Sequence, residues 1–497
     1  MTRPEAAPPQ RPLTAIVLAA GEGTRMKSPT RPKVLHGFAG RSLLGHALAA
    51  VAPLQPEVTA VVIGHRREEV AAHLAEIAPA ARPVVQAEQR GTGHAVRTAL
   101  DAVQPAGGTV LVLPGDAPLL DPNTLAVLLQ QHAETGGAAT VLTSVLSDPT
   151  GYGRVLRDPQ QPARISRIVE HKDAGPAELE VSEVSALVYA FDGALLDDAV
   201  RRLSTDNAQG EEYLPEVISI FVAENRLVTA VIAPAHETAG VNDRVQLAAA
   251  HRSYNLRLLE QHMRAGVTVI DPATTWVDAG VRIEPDAVLH PNVQLHGLTT
   301  IGEGAEIGPD STLTDTEVGP GSILQRTVAI ETRVGAGVTV GPFAYLRRGT
   351  ELADQVHIGT YVELKAAEVG TGTKVPHLSY VGDASIGEYT NIGAATVFVN
   401  YDGVNKHRST VGSHARTGAD NMFVAPVNIG DGAYTAAGSV ISSDVPPGAL
   451  GVGRARQRNV AGWVLRRRPG TAAAEAALAA GAAERDQPSD DRGSNQG

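Results

Sequence analysis

The sequence predicts an α/β unit with a mostly parallel sheet, followed by a solenoid of hexapeptide repeats. Three observations carry that expectation. Through the N-terminal half, short β-rich runs alternate with helical patterns, the grammar of an α/β sheet. From residue 277 an aliphatic side chain recurs at every sixth position, a period that fits neither a helix nor plain strand alternation. The 51 glycines divide unevenly, 19 in residues 1–250 and 32 in the remainder, while aromatic residues make up only 4% of the chain. A core built without large rings has to come from small aliphatics.

In chain order, residues 13–18, 58–63, 109–113 and 138–146 read as strands, and residues 41–52, 68–76, 95–103 and 122–135 as helices. Residues 244–265 run without Gly or Pro, marked by Leu247, Tyr254, Leu258 and Met263, and read as a connecting helix. The sixfold series then begins: Val277, Ile283, Leu289, Leu295, Ile301, Ile307 and Leu313. It resumes after a slip at Val328, Val334, Val340, Leu346, Leu352, Ile358 and Leu364, and again at Val411, Thr417, Phe423, Ile429, Thr435 and Ile441. Three hexapeptides would close one triangular coil and bury one aliphatic per corner. Residues 399–410 break the period and read as a loop pushed out of the coil, a frequent seat of function on a rigid scaffold. The expected organisation is therefore a disordered N-terminus (1–12), an α/β domain (13–241), a linker helix (242–266), a solenoid domain (267–458) and a mostly disordered tail (459–497).

Composition excludes several classes of function. A net charge of −12 argues against a nucleic-acid or anionic-membrane binder. The absence of cysteine removes disulfides, thiolate metal sites and thiol nucleophiles together. The first twelve residues lack the apolar core of a signal peptide, and no apolar run is long enough to span a bilayer, so a cytoplasmic protein is expected.

The first candidate site follows the first strand, at Ala19-Ala20-Gly21-Glu22-Gly23-Thr24-Arg25-Met26. Two glycines let backbone amides approach a polyphosphate and Arg25 adds a cation, although a tight strand-to-helix turn would leave the same signature. Pro32-Lys33 offers a second cation. Gln86-Ala87-Glu88 and Gly91-Thr92-Gly93-His94 come next, and Pro114-Gly115-Asp116 sets a carboxylate at the end of a strand, where open α/β sheets bind ligands. A carboxylate near phosphates and cations points to Mg²⁺. On the solenoid, Arg347, Glu363, Lys365, His377, Tyr380, Asn391, Asn400-Tyr401-Asp402-Gly403 and Lys406 make a polar set that a plain scaffold would not need. An imidazole, which ordinarily titrates near neutrality, suits a general base.

The motifs of the first half resemble the sugar-1-phosphate nucleotidyltransferases. With the solenoid attached, the chain resembles the bacterial bifunctional N-acetylglucosamine-1-phosphate uridyltransferase/glucosamine-1-phosphate acetyltransferase family from about Leu13 to Arg458. Asp148-Pro149-Thr150-Gly151-Tyr152-Gly153-Arg154, Val169-Glu170-His171-Lys172-Asp173, Asn207-Ala208-Gln209-Gly210-Glu211 and Gly240-Val241-Asn242-Asp243-Arg244 extend the match, as does Pro376-His377-Leu378-Ser379-Tyr380-Val381-Gly382-Asp383. The resemblance implies a Rossmann-like α/β nucleotidyltransferase domain and a left-handed parallel β-helix. It places Leu18, Ala19, Ala20 and Gly21 on the nucleotide, Gln86, Gly91 and Thr92 on uracil, and Pro114, Gly115 and Asp116 beside the phosphates. Asp116 and Asn242 would hold Mg²⁺, Gly153, Glu170 and Ser185 would meet the amino sugar, and Arg25 and Lys33 would stabilise charge on the UTP phosphates. On the solenoid it makes His377 the base that takes a proton from the 2-amino group of glucosamine-1-phosphate, with Arg347 and Lys365 on the sugar phosphate. Tyr380, Asn391, Asn400 and Tyr401 would line the amino-sugar site, and Ala394, Ala419, Ala437 and Arg454 would contact acetyl-CoA, with Asn400 and Tyr401 reaching that co-substrate as well.

The chain departs from the family pattern in places. Pro114 stands for a usual Tyr, Ser185-Ala186-Leu187 for Asn-Thr/Ser-Gly, Pro215-Glu216 for Thr-Asp, Arg348 for Pro and Ala419 for Ser, and one extra residue separates Arg25 from Lys33. Ser185 can donate one hydrogen bond to a sugar hydroxyl but lacks an amide's paired donor and acceptor. Losing the hydroxyl at Ala419 should cost about 1 kcal/mol of co-substrate binding. The expected protein is a homotrimer that makes UDP-N-acetylglucosamine from glucosamine-1-phosphate, acetyl-CoA and UTP. Two rival expectations are a nucleotidyltransferase of another sugar with a regulatory solenoid, and a non-catalytic assembly protein.

Overall fold

The computed structural model describes residues 12–105 and 107–482. The expectation of disorder at 1–11 and over the DQPSDDRGSNQG stretch falls outside the described residues. Within the segment expected as a mostly disordered tail, Trp463–Arg467 and Ala472–Ala479 are helical, the second capped by the Thr471 hydroxyl accepting from the Ala474 amide.

The α/β half is one nine-stranded sheet. Its strands are β1 (Leu13–Ala19), β2 (Val58–Ile63), β3 (Arg82–Val85), β4 (Thr109–Pro114), β5 (Ala139–Val145), β6 (Arg154–Arg157), β7 (Ile165–Val169), β8 (Glu183–Asp192) and β9 (Val228–Ile232). The order across the main sheet is β9-β5-β8-β4-β1-β2-β3, with β6 paired to β8 and β7 to β6. β3-β2-β1-β4 and β9-β5 are parallel, and β8 alone runs antiparallel between β4 and β5. The central strands are apolar on both faces because helices cover both: Ile16, Val62, Val110 and Val112 pack toward α3 (Thr92–Val103), while Val17, Val61, Leu111 and Leu113 pack toward α1 (Leu43–Val51) and α4 (Pro122–Thr135). Asp121 caps α4 through the Asn123 amide, with Pro122 at its first turn.

The linker is α7, Arg244–Arg264, counting Gly193–Val200 as α5 and Glu216–Ala223 as α6. It starts immediately after Asn242 because Asp243 caps it, accepting from the Gln246 amide. Asn255, buried at 2% exposure, ties it to the first coil by donating to Thr275 O (2.8 Å) and accepting from Val277 N (2.9 Å).

Beyond the linker, parallel strands of two to seven residues coil into the left-handed β-helix expected from the hexads. Three inward columns run its length: Val277-Leu295-Leu313-Ala329-Leu346-Leu364-Val381, Ile283-Ile301-Val318-Val334-Leu352-Val369-Ile386-Val411-Ile429, and Val269-Leu289-Ile307-Leu324-Val340-Ile358-Val375. Residues 401–406 are all exposed, so the period break is indeed an extruded loop.

One position in the sixfold series is corrected. Val328 is 40% exposed and points outward, while Ala329 is fully buried and occupies the column between Leu313 and Leu346. The coil from Leu313 to Ala329 is shorter than its neighbours, so it encloses less space and takes an Ala where they take Leu or Val. Side chains alternate along a strand, and a shift of one residue exchanges inside for outside. Ala329→Leu should therefore destabilise the solenoid by about 1–3 kcal/mol through overpacking, whereas Val328→Ala should fall within about 0.5 kcal/mol of wild type. Denaturant unfolding of the full chain checks both, and equal effects would contradict the register.

Candidate active sites

The first site is built where β1, β4 and the loop before α7 end together. Pro114 lies beside Leu18 in register, and the Gly115 amide donates to Leu18 O (2.8 Å). The Val241 amide donates to Asp116 O (2.9 Å), which brings Asn242 to the same end of the sheet. Leu18, Ala19, Gly21, Arg25, Lys33, Asp116 and Asn242 share one cavity of about 250 Å³. Gly23 has φ +66°, and a Cβ there would collide with the Lys33 side chain, so Lys33 crosses the loop only because that residue is glycine. Lys33 Nζ forms an ion pair with Asp116 and donates to Asn242 Oδ1 (2.9 Å), to which Arg25 also donates (2.8 Å). Four expected residues thus form one network in which two cations rest on two oxygen-bearing side chains.

Beside it, the buried Gln86 donates through Nε2 to Gly91 O (3.1 Å) and meets His94 Nδ1 at 2.9 Å, while Thr92 Oγ1 accepts from Leu214 N (3.0 Å). Ala20 O, beyond β1, accepts from Gln89 Nε2 (2.6 Å) and the His65 amide (3.2 Å). The sugar-side residues also converge. The Ser185 amide donates to Gly153 O (2.9 Å), and Glu170 Oε1 packs against Gly153. Burial, and then the neighbouring Asp173 carboxylate, push the Glu170 carboxyl above its ordinary pKa. The Ser185 hydroxyl differs from expectation: only 3% of the residue is exposed, and Oγ is engaged by Tyr189 OH (3.0 Å) and the Leu187 amide (3.2 Å). Strand β8 breaks register between Ser185 and Val188, and Leu187 there has φ +58°.

On the solenoid, Arg347 and Lys365 sit side by side on successive coils, the Arg347 amide donating to Leu364 O (2.9 Å). Arg347 Nη1 pairs with Glu363 (2.9 Å). Lys365 Nζ reaches both oxygens of Asp383 at 3.0 Å. Asn400 Nδ2 donates to Asp383 Oδ2 (2.5 Å) and to Tyr380 OH (3.3 Å). His377 is exposed on the other side of the corner at Leu378, and its carbonyl accepts from the Ala395 amide (3.1 Å), beside Ala394. The positions expected to contact acetyl-CoA stack: the Asp420 amide donates to Ala394 O (2.7 Å), the Gly438 amide to Ala419 O (2.9 Å), and the Arg454 side chain lies over Gly438 next to Ala437. Asn391 holds its coil by donating from its amide to Ala415 O (2.9 Å). Tyr401 is 55% exposed and bonded within its own loop to Gly403 O, away from Tyr380.

Sequence reasoning named several groups without giving them a role. Tyr152, hydrogen-bonded to the backbone at Gly240 and close to Asp116, links the sugar loop to the Asn242 loop. Glu363 and Asp383 hold the two solenoid cations, and a carboxylate one coil away from a basic residue (18 positions from Lys365 to Asp383) was the available signal. A groove of about 880 Å³ runs along the solenoid past Val334, Leu352, Val369 and Ile386 and contains none of the expected site residues.

A family model described as a MobA-like NTP transferase domain matches residues 15–168. The chain is 60% identical over 469 residues to the bifunctional protein GlmU of Streptomyces avermitilis, covering 94% of this chain and 97% of that one. It is 56% identical over 472 residues to the protein of the same name from Thermobifida fusca, with coverages of 94% and 97%. To that of Corynebacterium glutamicum it is 52% identical over 470 residues, with coverages of 94% and 96%.

The raised pKa of Glu170 has a definite sign. Folding favours its protonated form, so its contribution is fully present below the unfolded pKa and is lost as pH rises through the folded one. Glu170→Gln should therefore be at least as stable as wild type at pH 7.5, with its advantage shrinking toward about pH 4. Thermal unfolding at both pH values checks this, and an equal loss of stability at both would contradict it.

Proposed function

The chain belongs to the GlmU family of bifunctional proteins, and on that premise we propose that its two sites make UDP-N-acetylglucosamine in two transfers. The solenoid site passes an acetyl group from acetyl-CoA to the amine of glucosamine-1-phosphate, and the α/β site joins the product to uridylyl from UTP with release of pyrophosphate. The observation that carries the reading is the Arg25–Lys33–Asp116–Asn242 network at the mouth of β1 and β4. It is a place for polyphosphate charge, suited to direct transfer by positioning and electrostatics.

The donor set fits Mg²⁺. Asp116 and Asn242 offer a carboxylate and an amide oxygen, hard ligands for a hard cation, and in this structure those oxygens are already covered by cationic nitrogens. Among the described residues no cluster of three His, Cys, Asp or Glu side chains is arranged for a metal, so the protein supplies few ligands and substrate phosphates and water supply the rest. Bound there, the ion would neutralise phosphate charge as it develops. Lys33, hinged over Gly23, and Arg25 would turn from Asn242 to the triphosphate. Gln86 would read uracil, and Gly153 and Glu170 the sugar. Because the Ser185 hydroxyl is occupied, the sugar grip falls to Glu170 and to backbone groups.

On the solenoid, His377 would accept the proton that the attacking amine loses as the tetrahedral intermediate forms, and coenzyme A leaves as the thiol. With no cysteine in the chain, the acetyl group goes directly to nitrogen. Arg347 and Lys365 would receive the sugar phosphate, and the stacked alanines the co-substrate.

Trimer formation is part of this reading. Phe343, Tyr361 and Leu378 form an exposed apolar ladder on successive corners, 50%, 59% and 60% exposed, with Phe343 and Tyr361 stacked at 5.3 Å. That ladder ends beside His377, where a neighbouring subunit would cover it and complete the acetyl-CoA site. No helix among the described residues is long and apolar enough to cross a membrane, and we place the enzyme in the cytoplasm with its nucleotide and acetyl-CoA substrates.

Asp116→Ala should abolish pyrophosphate release while acetylation continues, and normal UTP turnover in that variant would sink the uridylyl-site assignment. His377→Ala should lose on the order of 10²-fold or more in acetylation with uridylyl transfer intact, so a wild-type acetylation rate would refute the base. Leu378→Asp should shift the assembly toward smaller species, which light scattering reads directly.

A further inference from the structure

The two cations expected to receive the sugar phosphate are held differently. The Arg347–Glu363 pair is exposed on both sides, about 40% each, and contributes little by itself. The Lys365–Asp383 pair is largely covered, with 20% and 19% of the side chains exposed, and the ammonium sits equidistant from both carboxylate oxygens. The same carboxylate accepts from Asn400 Nδ2, which in turn reaches Tyr380 OH. Asp383 is therefore the point where Lys365 and Asn400 meet, with Tyr380 joined through Asn400.

Its neighbour is shaped for that meeting. A Cβ on Gly382 would collide with Tyr380 OH and come within 2.6 Å of Asn400 Nδ2, so both side chains fold across bare backbone to get there. Asp383 itself has φ +49°, the left-handed corner conformation that Ala366 (φ +45°) takes at the equivalent place one coil earlier and that Asp tolerates better than most residues. A lysine is a point charge on a flexible stem and samples many rotamers unless something fixes it. The Asp383 carboxylate also keeps the Lys365 ammonium charged, pushing its pKa upward by hydrogen bonding.

We propose that Asp383 is a positioning residue for acetyl transfer, fixing Lys365 and Asn400 in the geometry that receives the phosphate and ring of the amino sugar. The proposal rests on the solenoid-site reading above. It has a sign that separates it from a plain charge effect. A carboxylate acting only as a nearby negative charge would repel the sugar phosphate, and removing it would lower KM. A carboxylate that orients Lys365 and Asn400 does the reverse, and removing it raises KM.

The test uses the full-length protein with Asp383→Ala, Asp383→Asn, Lys365→Ala and the Asp383→Ala/Lys365→Ala double variant, assayed for KM and kcat of glucosamine-1-phosphate acetylation. Uridylyl transfer and thermal unfolding of the same samples report on folding. Asp383→Ala should raise KM on the order of tenfold. Asp383→Asn, which keeps one acceptor oxygen, should raise it less. The double variant should be within about twofold of the worse single one, because both remove the same interaction. A KM for Asp383→Ala within about twofold of wild type, a lowered KM in Asp383→Asn, or additive effects in the double variant would overturn the assignment. Should Asp383→Ala fail to fold, Asp383→Asn decides by the sign of its KM change. Lys365→Ala indistinguishable from wild type would overturn the solenoid-site reading itself and this proposal with it. An impaired Lys365→Ala beside an unimpaired Asp383→Ala overturns the proposal alone.

Discussion

The inward columns of the solenoid are the constraint on which the rest of the molecule depends. A coil of three short strands cannot bury its own apolar side; it becomes stable only by stacking Leu295 on Val277, Leu313 on Leu295 and so on. Each fully buried aliphatic contributes roughly 1.5–3 kcal/mol relative to exposure, and three columns repeat that along the whole prism. Outward positions are then free to carry chemistry, because the backbone beneath them is held by its neighbours above and below. Arg347 stands beside Lys365, and Ala394 beside Ala419, for this reason and no other.

The two halves meet close to the loops that carry Lys33 and Asn242. Phe38, Leu43, Val241, Ala250 and Tyr254 form a small core between the α/β sheet, the linker helix and the first coil, with Phe38, His46 and Tyr254 in ring contact. The Ala279 amide donates to Ala39 O (3.0 Å), and Asn255 clamps the helix to the coil. The Gly37–Phe38 and Arg41–Ser42 hairpin follows Lys33 closely, and the linker helix begins two residues after Asn242. The segment that fastens the solenoid to the sheet is also the one that brings Lys33 and Asn242 together.

Both sites keep their cations paired. Lys33 and Arg25 lie on Asp116 and Asn242, Arg347 on Glu363 and Lys365 on Asp383. An isolated charge partly withdrawn from water is costly, and pairing it within the protein holds it in place until a phosphate competes for it. The Glu170 carboxyl has the opposite environment, buried near Asp173 with its pKa raised. Similar side chains serve different ends because their surroundings differ.

Much of this was legible in the one-dimensional pattern, and the physical reason is periodicity. Strand–helix alternation and a six-residue aliphatic repeat are imposed by backbone geometry, so the α/β sheet, the linker helix, the solenoid and the extruded loop could all be read from spacing. The motif residues that end strands β1 and β4 were legible for the same reason, since a sheet brings strand ends together. What spacing could not supply was register and partnership. A single-residue shift put Ala329 rather than Val328 inside, because coil length is decided by the neighbours it must stack on. The Ser185 hydroxyl turned to Tyr189 because a break in β8 brings those two together in space. Asp383 became the junction of Lys365 and Asn400, with Tyr380 reached through Asn400, only once successive coils were stacked. Residue types and their order along the chain determined which chemistry this protein can hold, while the tertiary structure decided which groups touch, because contact between coils depends on closing the turns that separate them.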